Sequence, residues 1–176
     1  MSSLPLFIYS FIVELTVLDC NAYLQTDYRF TASCTDVASI DDGKDFADIE
    51  QAFKDLGFSD DERVGLYALV IGVVSVGNVK FRETKPDESE PDPSSMQWLE
   101  AAAHNFGVEA SVLGKSLTTR EIRIRGQEKI FAVQDTKQAA DAAAALAKFA
   151  YSRMFDWLVQ RVNKSMGGSS ANSGML

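Results

Sequence analysis

Cysteine is nearly missing from this sequence and histidine more so, and each scarcity closes a class of chemistry. The 176 residues hold two cysteines, Cys20 and Cys34, and one histidine, His104. Two cysteines at no metal-ligand spacing make neither a zinc site nor a disulfide framework, so a reducing, cytosolic setting is expected. The lone histidine, in WLEAAAHNF, reads as a polar helix residue, and no Ser/His/Asp or Cys/His constellation forms around it. Basic charge is short as well: 17 Lys and Arg against 25 Asp and Glu leave a net charge of −8. Nucleic acid and anionic membranes require a positive surface, so neither is expected as a partner. Long apolar runs are also lacking. The most apolar stretch, residues 4–18, is interrupted by Pro5 and Glu14, has no basic leader and is short for a bilayer, which excludes a signal peptide or a span as expectations.

What is present is a chain with 46% hydrophobic residues, enough to bury one substantial core as a single domain or as part of a larger one. Its organising stretch is residues 136–163, TKQAADAAAALAKFAYSRMFDWLVQRVN, which contains no Gly or Pro. Alanine has the best helix propensity, and six of them lie between 139 and 145. Asp135 or Thr136 can cap the start. Apolar residues recur at Ala139, Ala143, Leu146, Ala150, Met154, Trp157, Leu158 and Val162, the spacing of a buried helical stripe. Phe149, Phe155 and Val159 widen that stripe. The expectation is one central helix, the most buried of the chain, about 42 Å long, with Trp157 as a core anchor. Gly167 and Gly168 end it.

Capping signals place the other helices. Asp41 and Asp42 can start one near Lys44, with Phe46, Ile49, Phe53 and Leu56 on its apolar face, and Gly57 stops it. Ser59 and Glu62 form a capping box for a second helix from Asp60 to about Val76. That helix is apolar on nearly every turn, so burial is expected, with Gly65 and Gly72 allowing close packing. RETKPDESEPDPSS carries three prolines and five acids and reads as a solvated loop. SMQWLEAAAHNFGV is a helix with Trp98, Leu99, Ala102 and Phe106 on one face, ended by Gly107. A short helix from Glu109 to about Leu117 follows, with Val112 and Leu113 inward.

Charge is unevenly placed. Residues 36–62 carry ten acids against Lys44 and Lys54, a balance of −8, whereas residues 115–129 carry Lys115, Arg120, Arg123, Arg125 and Lys129 against Glu121 and Glu128, a balance of +3. An acidic partner is met by the later segment. There, TTREIRIRGQEKIFAVQ alternates, with Ile122 and Ile124 on one side and Arg123 and Arg125 on the other, then turns at Gly126: a β-hairpin.

LAKFAYSRMFDWLVQRVN resembles the part of the myosin motor head in which a long helix of the upper half of the motor leads towards the second phosphate-sensing loop. Lys148, Tyr151, Arg153, Phe155, Trp157, Leu158, Val159 and Asn163 fall on that pattern. SIDDGKDFADIEQAFKDLGFSDDE, the helix end SVGNVKF (Val76 standing where Leu is usual) and the order of the two helices after it are similar to the family as well, and NAYLQTDYRFTAS more weakly so. The resemblance covers residues 21–166. Residues 1–20 match nothing expected there, and 167–176 read as a disordered tail.

The resemblance implies a mainly α fold: a helical subdomain with one projecting β-hairpin, a piece of a larger α/β P-loop motor domain. It implies an actin filament as partner, together with the remainder of the motor head, and a cytoplasmic, cytoskeleton-associated setting. Arg120, Arg123, Arg125, Glu128 and Lys129 become the actin-facing hairpin residues, and RETKPDESEPDPSS falls where the family has a variable surface loop. Catalysis in the complete motor needs Mg-ATP, held by a P-loop and two switch loops. This sequence has no glycine-rich loop ending in Gly-Lys-Ser or Gly-Lys-Thr, so no cofactor site and no catalytic residue is expected in it. The function implied is that of a fragment of an actin-based, ATP-driven motor. The alternative is a stand-alone, non-catalytic helical interaction module or a pseudogene product. In the family one hairpin position is acidic or made so by phosphorylation, sixteen residues before a segment matching Asp-Ala-Leu-Ala-Lys. Here that segment is residues 144–148, with Ala144 in place of the acid, and the count gives Glu128, while a one-residue gap would give Gln127 or Lys129.

Overall fold

The computed structural model describes residues 28–32, 41–122 and 130–168. Among them lie five α-helices and two antiparallel hairpins: α1 (Asp42–Asp55), α2 (Asp60–Val76), β1 (Phe81–Lys85), β2 (Glu88–Pro91), α3 (Met96–Phe106), α4 (Ala110–Thr118), β3 (Thr119–Ile122), β4 (Ile130–Val133) and α5 (Thr136–Gly168). The mainly α expectation holds, with two hairpins rather than one. The chain divides into two compact units, Met1–Tyr67 with Ser152–Leu176, and Ala68–Tyr151. Residues of α2 and of α5 belong to both.

In the first unit the chain turns where local chemistry directs it. The Asp41 carboxylate accepts from the Lys44 N–H at 3.0 Å and starts α1. Gly57, at φ +69°, ends it by taking the left-handed conformation that a Cβ disfavours, and the Phe58 N–H reaches back to the Phe53 carbonyl at 2.9 Å. The capping box then opens α2: Ser59 Oγ accepts from the Glu62 N–H at 3.2 Å, and Glu62 Oε2 accepts from the Ser59 N–H at 2.8 Å. Phe53 lies tilted at 4.8 Å from Phe58, which is buried, and makes an edge contact with the buried Tyr67. Glu50 accepts from both the Tyr67 hydroxyl and Arg63. Burial first, and then that bond to Glu50, pushes the Tyr67 phenol above its ordinary range.

The C-terminal half of α5 is tied to this turn. Arg161 Nε donates to Glu62 Oε1 at 2.8 Å, its Nη2 donates to the Gly57 carbonyl at 2.6 Å, and its guanidinium lies 4.6 Å from the Phe58 ring centre. Ser165 Oγ donates to the Leu56 carbonyl. Two carbonyls left over at the end of α1 are thereby satisfied from another helix. The guanidinium of Arg161, followed by the Ser59 N–H, holds the Glu62 carboxyl below its ordinary value.

In the second unit the core is made of Val76, Val79, Leu99, Ala102, Ala103, Leu113, Leu117, Ala143 and Ala147. Gly72 is required by packing: a Cβ there would sit 2.6 Å from Phe106 Cε1. Gly65 has nothing within 4 Å of the same position, so only one of the two glycines serves close approach. Gly107, at φ +69°, closes α3 as expected.

Four expectations are corrected. RETKPDESEPDPSS is not a plain loop: it contains most of the β1–β2 hairpin, in register Phe81↔Pro91, Arg82↔Glu90 and Glu83↔Ser89. The basic residues of β1 meet acids of β2 across the ladder, Arg82 Nε on Glu90 Oε1 at 2.8 Å and Lys85 Nζ on Glu88 at 3.5 Å. Pro91 is tolerated because it stands at a strand end. Val112 is 60% exposed, and Leu117 instead joins Leu113 inward, one helical turn on. Ile49, expected on the apolar face of α1, and Val64, among the apolar residues expected buried along α2, are exposed. Finally, α5 is a single unbroken helix of 33 residues, started by Asp135 Oδ1 accepting from the Gln138 N–H at 2.7 Å, but it is not the most buried one. Its covered stripe is Ala139, Ala143 and Ala147. Phe149, Tyr151, Phe155, Val159 and Met166 are exposed, and Trp157 is 40% exposed, in edge contact with Phe58 at 6.2 Å. Small alanines let neighbours reach the first half, and the aromatic face of the second stays largely exposed.

Candidate interaction surface

The β3–β4 hairpin grows directly out of α4. Thr118 and Thr119 mark the change: their hydroxyls bond back to Gly114 and Lys115 carbonyls at 3.1 and 2.8 Å, the last turn of the helix, while the Thr119 backbone is already extended. The two strands pair Thr119↔Val133, Arg120↔Ala132, Glu121↔Phe131 and Ile122↔Ile130. A two-stranded ribbon is marginal alone, and this one is pinned at its base. The Gln134 N–H donates to the Thr118 carbonyl at 2.9 Å, Gln134 Nε2 donates to the Leu117 carbonyl at 3.2 Å, and Ser89 Oγ of β2 donates to the Gln134 carbonyl at 2.8 Å. The hairpin is therefore braced by both α4 and the β1–β2 ribbon.

Of the five residues expected to face a partner, Arg120 is described and exposed on β3. Arg123, Arg125, Glu128 and Lys129 lie outside the described residues. Side chains two apart share a face of a strand, so Arg120 shares the face of Ile122, Ile130 and Ala132, not the one expected for Arg123 and Arg125. Sequence reasoning missed the other face. Phe131 and Val133 are 58% and 52% exposed, and Lys115 Nζ of α4 stands 6.0 Å from the Phe131 ring centre. The signal was the tetrapeptide Ile-Phe-Ala-Val, which holds β-branched and aromatic residues with no charge among them.

The sequence does contain Gly114-Lys115-Ser116, the ending of a phosphate-binding loop. It stands inside α4: Gly114 packs within 3.3 Å of Leu99 and 3.2 Å of Pro91 for a built Cβ, and Ser116 Oγ donates to the Leu113 carbonyl at 2.8 Å. Glu109 occupies the position at which such a loop has its first glycine. A helix interior turns no row of main-chain N–H groups outward, so these three residues do not form a phosphate cradle.

The family model described as myosin head (motor domain) matches residues 14–175. The chain belongs to the myosin head family. It is 31% identical over 154 residues to Myosin-13 of Arabidopsis thaliana, covering 86% of this chain and 10% of that one. To the Myosin-K heavy chain of Dictyostelium discoideum it is 35% identical over 148 residues, 82% of this chain and 17% of the relative. It thus spans between a tenth and a fifth of the length of these curated relatives. As a piece of a myosin head, it contributes helices α1 to α5 and both hairpins, and none of its described helices is long and apolar enough to cross a membrane.

Proposed function

We propose that the chain is part of an actin-based, ATP-driven motor, supplying a helical scaffold and the hairpin that faces the actin filament, with no nucleotide site of its own. The observation that supports this most directly is the bracing of the β3–β4 hairpin together with its charge. Residues 115–129 carry +3 in a chain of −8, and Arg120 is exposed on a ribbon fixed at three points, with Lys115 exposed on the last turn of α4 beside it. Such a ribbon is steered towards an acidic filament by long-range attraction. Mg-ATP belongs to the complete motor: among the described residues, Gly114-Lys115-Ser116 is helical and offers no main-chain cradle for a triphosphate. On this reading the setting is cytoplasmic and cytoskeletal, residues 21–166 are the motor portion, and nucleic acid and membrane are not partners.

The exposed aromatic face of α5 favours a motor segment over a stand-alone interaction module, because it leaves Phe155 and Val159 facing outward where the rest of a head would cover them. The test is co-sedimentation of the purified chain with actin filaments at low salt. Binding that falls severalfold on Arg120→Glu and at raised salt supports the reading, and no binding at low salt refutes it. Within a complete motor, Glu128 supplies a permanent negative charge where a hydroxyl would need a kinase. Equal actin-activated ATPase in Glu128→Ala and Glu128→Gln and in the parent removes that role.

A further inference from the structure

The main chain of β4 carries a second message beyond its side chains. The Gln134 N–H donates to the Thr118 carbonyl, which makes Thr118 and Gln134 a hydrogen-bonded pair of the antiparallel ladder. Such pairs alternate along the ladder. Ala132 and Ile130 therefore also turn their N–H and C=O groups to β3, and Phe131 and Val133 turn theirs to the opposite edge. Among the described strands β4 pairs with β3 alone, so that edge joins no ladder. Edges of this kind are ordinarily blunted by charge, by proline or by a bulge. Residues 130–133 have none of these, and Ile130, Phe131 and Val133 are all exposed.

We propose that the outer edge of β4 takes an extended acidic segment of a partner protein by strand addition. The inference rests on the reading that this hairpin faces an acidic partner, and it names the mode of contact: main-chain hydrogen bonds to Phe131 and Val133, with alternate partner residues seated on their side chains. Charge selects the occupant. The +3 balance of residues 115–129 and the Lys115 ammonium beside the Phe131 ring favour carboxylates on the incoming strand. The same charge opposes a second copy, which would bring a like patch against it. Four residues of strand give about 13 Å of edge, enough for a short segment.

The probe is a synthetic peptide of alternating valine and glutamate, about ten residues long, titrated into the full chain and followed by fluorescence anisotropy. Val133→Pro removes the outward N–H while leaving the β3 ladder intact, since position 133 donates nothing to β3. Val133→Thr keeps that N–H and the β-branched shape. The expected result is binding by the parent, loss of about tenfold or more in Val133→Pro, little change in Val133→Thr, and weakening as salt rises to about 0.3 M. Equal binding by the parent and Val133→Pro, or no binding by the parent at millimolar peptide, overturns the inference. So does self-association of the chain that Val133→Pro abolishes, which would assign the edge to a second copy. Filament co-sedimentation separates the two readings: filament binding without peptide binding leaves the motor reading standing and removes strand addition, and peptide binding without filament binding does the reverse.

Discussion

Two glycines in α2 should respond to the same substitution with opposite signs. Gly65 and Gly72 both lie in the helix interior, where alanine is favoured by about 1 kcal/mol. Nothing lies within 4 Å of a Cβ built on Gly65, so Gly65→Ala is expected to stabilise the chain by about that amount. At Gly72 the new methyl would meet the Phe106 ring at 2.6 Å on Cε1 and 2.8 Å on Cδ1, well inside contact distance. Phe106 is packed against the core of the second unit and must tilt or slide, a distortion of about 1 to 3 kcal/mol that offsets or exceeds the gain. Gly72→Ala is therefore expected to be neutral to destabilising by up to about 2 kcal/mol. Phe106→Ala is the internal control. Removing the ring leaves room for the methyl, so Gly72→Ala in that background should regain its full helical benefit and become stabilising. Urea denaturation followed by circular dichroism gives all four corners of the cycle, and the coupling between the two positions should reach about 1 kcal/mol or more. If Gly72→Ala raises the midpoint of the parent as much as Gly65→Ala does, the ring does not rest on the helix and the reasoning fails.

Trp157→Ala should cost about 1 to 2 kcal/mol rather than the 3 to 5 of a core tryptophan, because the side chain is 40% exposed and holds one edge contact with Phe58; a loss above about 4 kcal/mol in denaturant titration would mean that the residue is covered. For Glu62, whose carboxyl is held below its ordinary value of 4.5 by Arg161 and the Ser59 N–H, the sign follows from linkage. A depressed folded-state value contributes stability above about pH 4.5 that is lost as pH falls through the folded value. The stability difference between the parent and Glu62→Gln should be present at neutral pH and close on acidification, and a difference that stays constant through the acid range would remove Glu62 from the joint between α2 and α5.

Helix ends were legible because capping is local chemistry. Asp41, the Ser59 and Glu62 box, Gly57, Gly107 and Asp135 each act within four residues, so short windows of sequence contain the whole cause. The β1–β2 hairpin was not legible, since proline and acid content reports solvation correctly but says nothing of register. Only once Arg82 stands opposite Glu90 do the opposite charges of the two strands become a reason to pair. The β3–β4 ribbon was read from its alternation, yet attention to its arginines passed over the uncharged edge of β4, because direction of the main-chain groups depends on which ladder pairs are hydrogen-bonded. Burial along α5 failed for a different reason. The family pattern falls on Tyr151, Phe155, Trp157 and Val159, and all four are exposed. A helix pattern shared with a longer relative encodes the surroundings of that helix in the relative, and this chain spans 10% to 17% of the length of those compared. Apolar content on such a helix is evidence of what it is built to meet, whereas Ala139, Ala143 and Ala147, inconspicuous on any hydrophobicity scale, mark where its neighbours within the chain are close enough to touch.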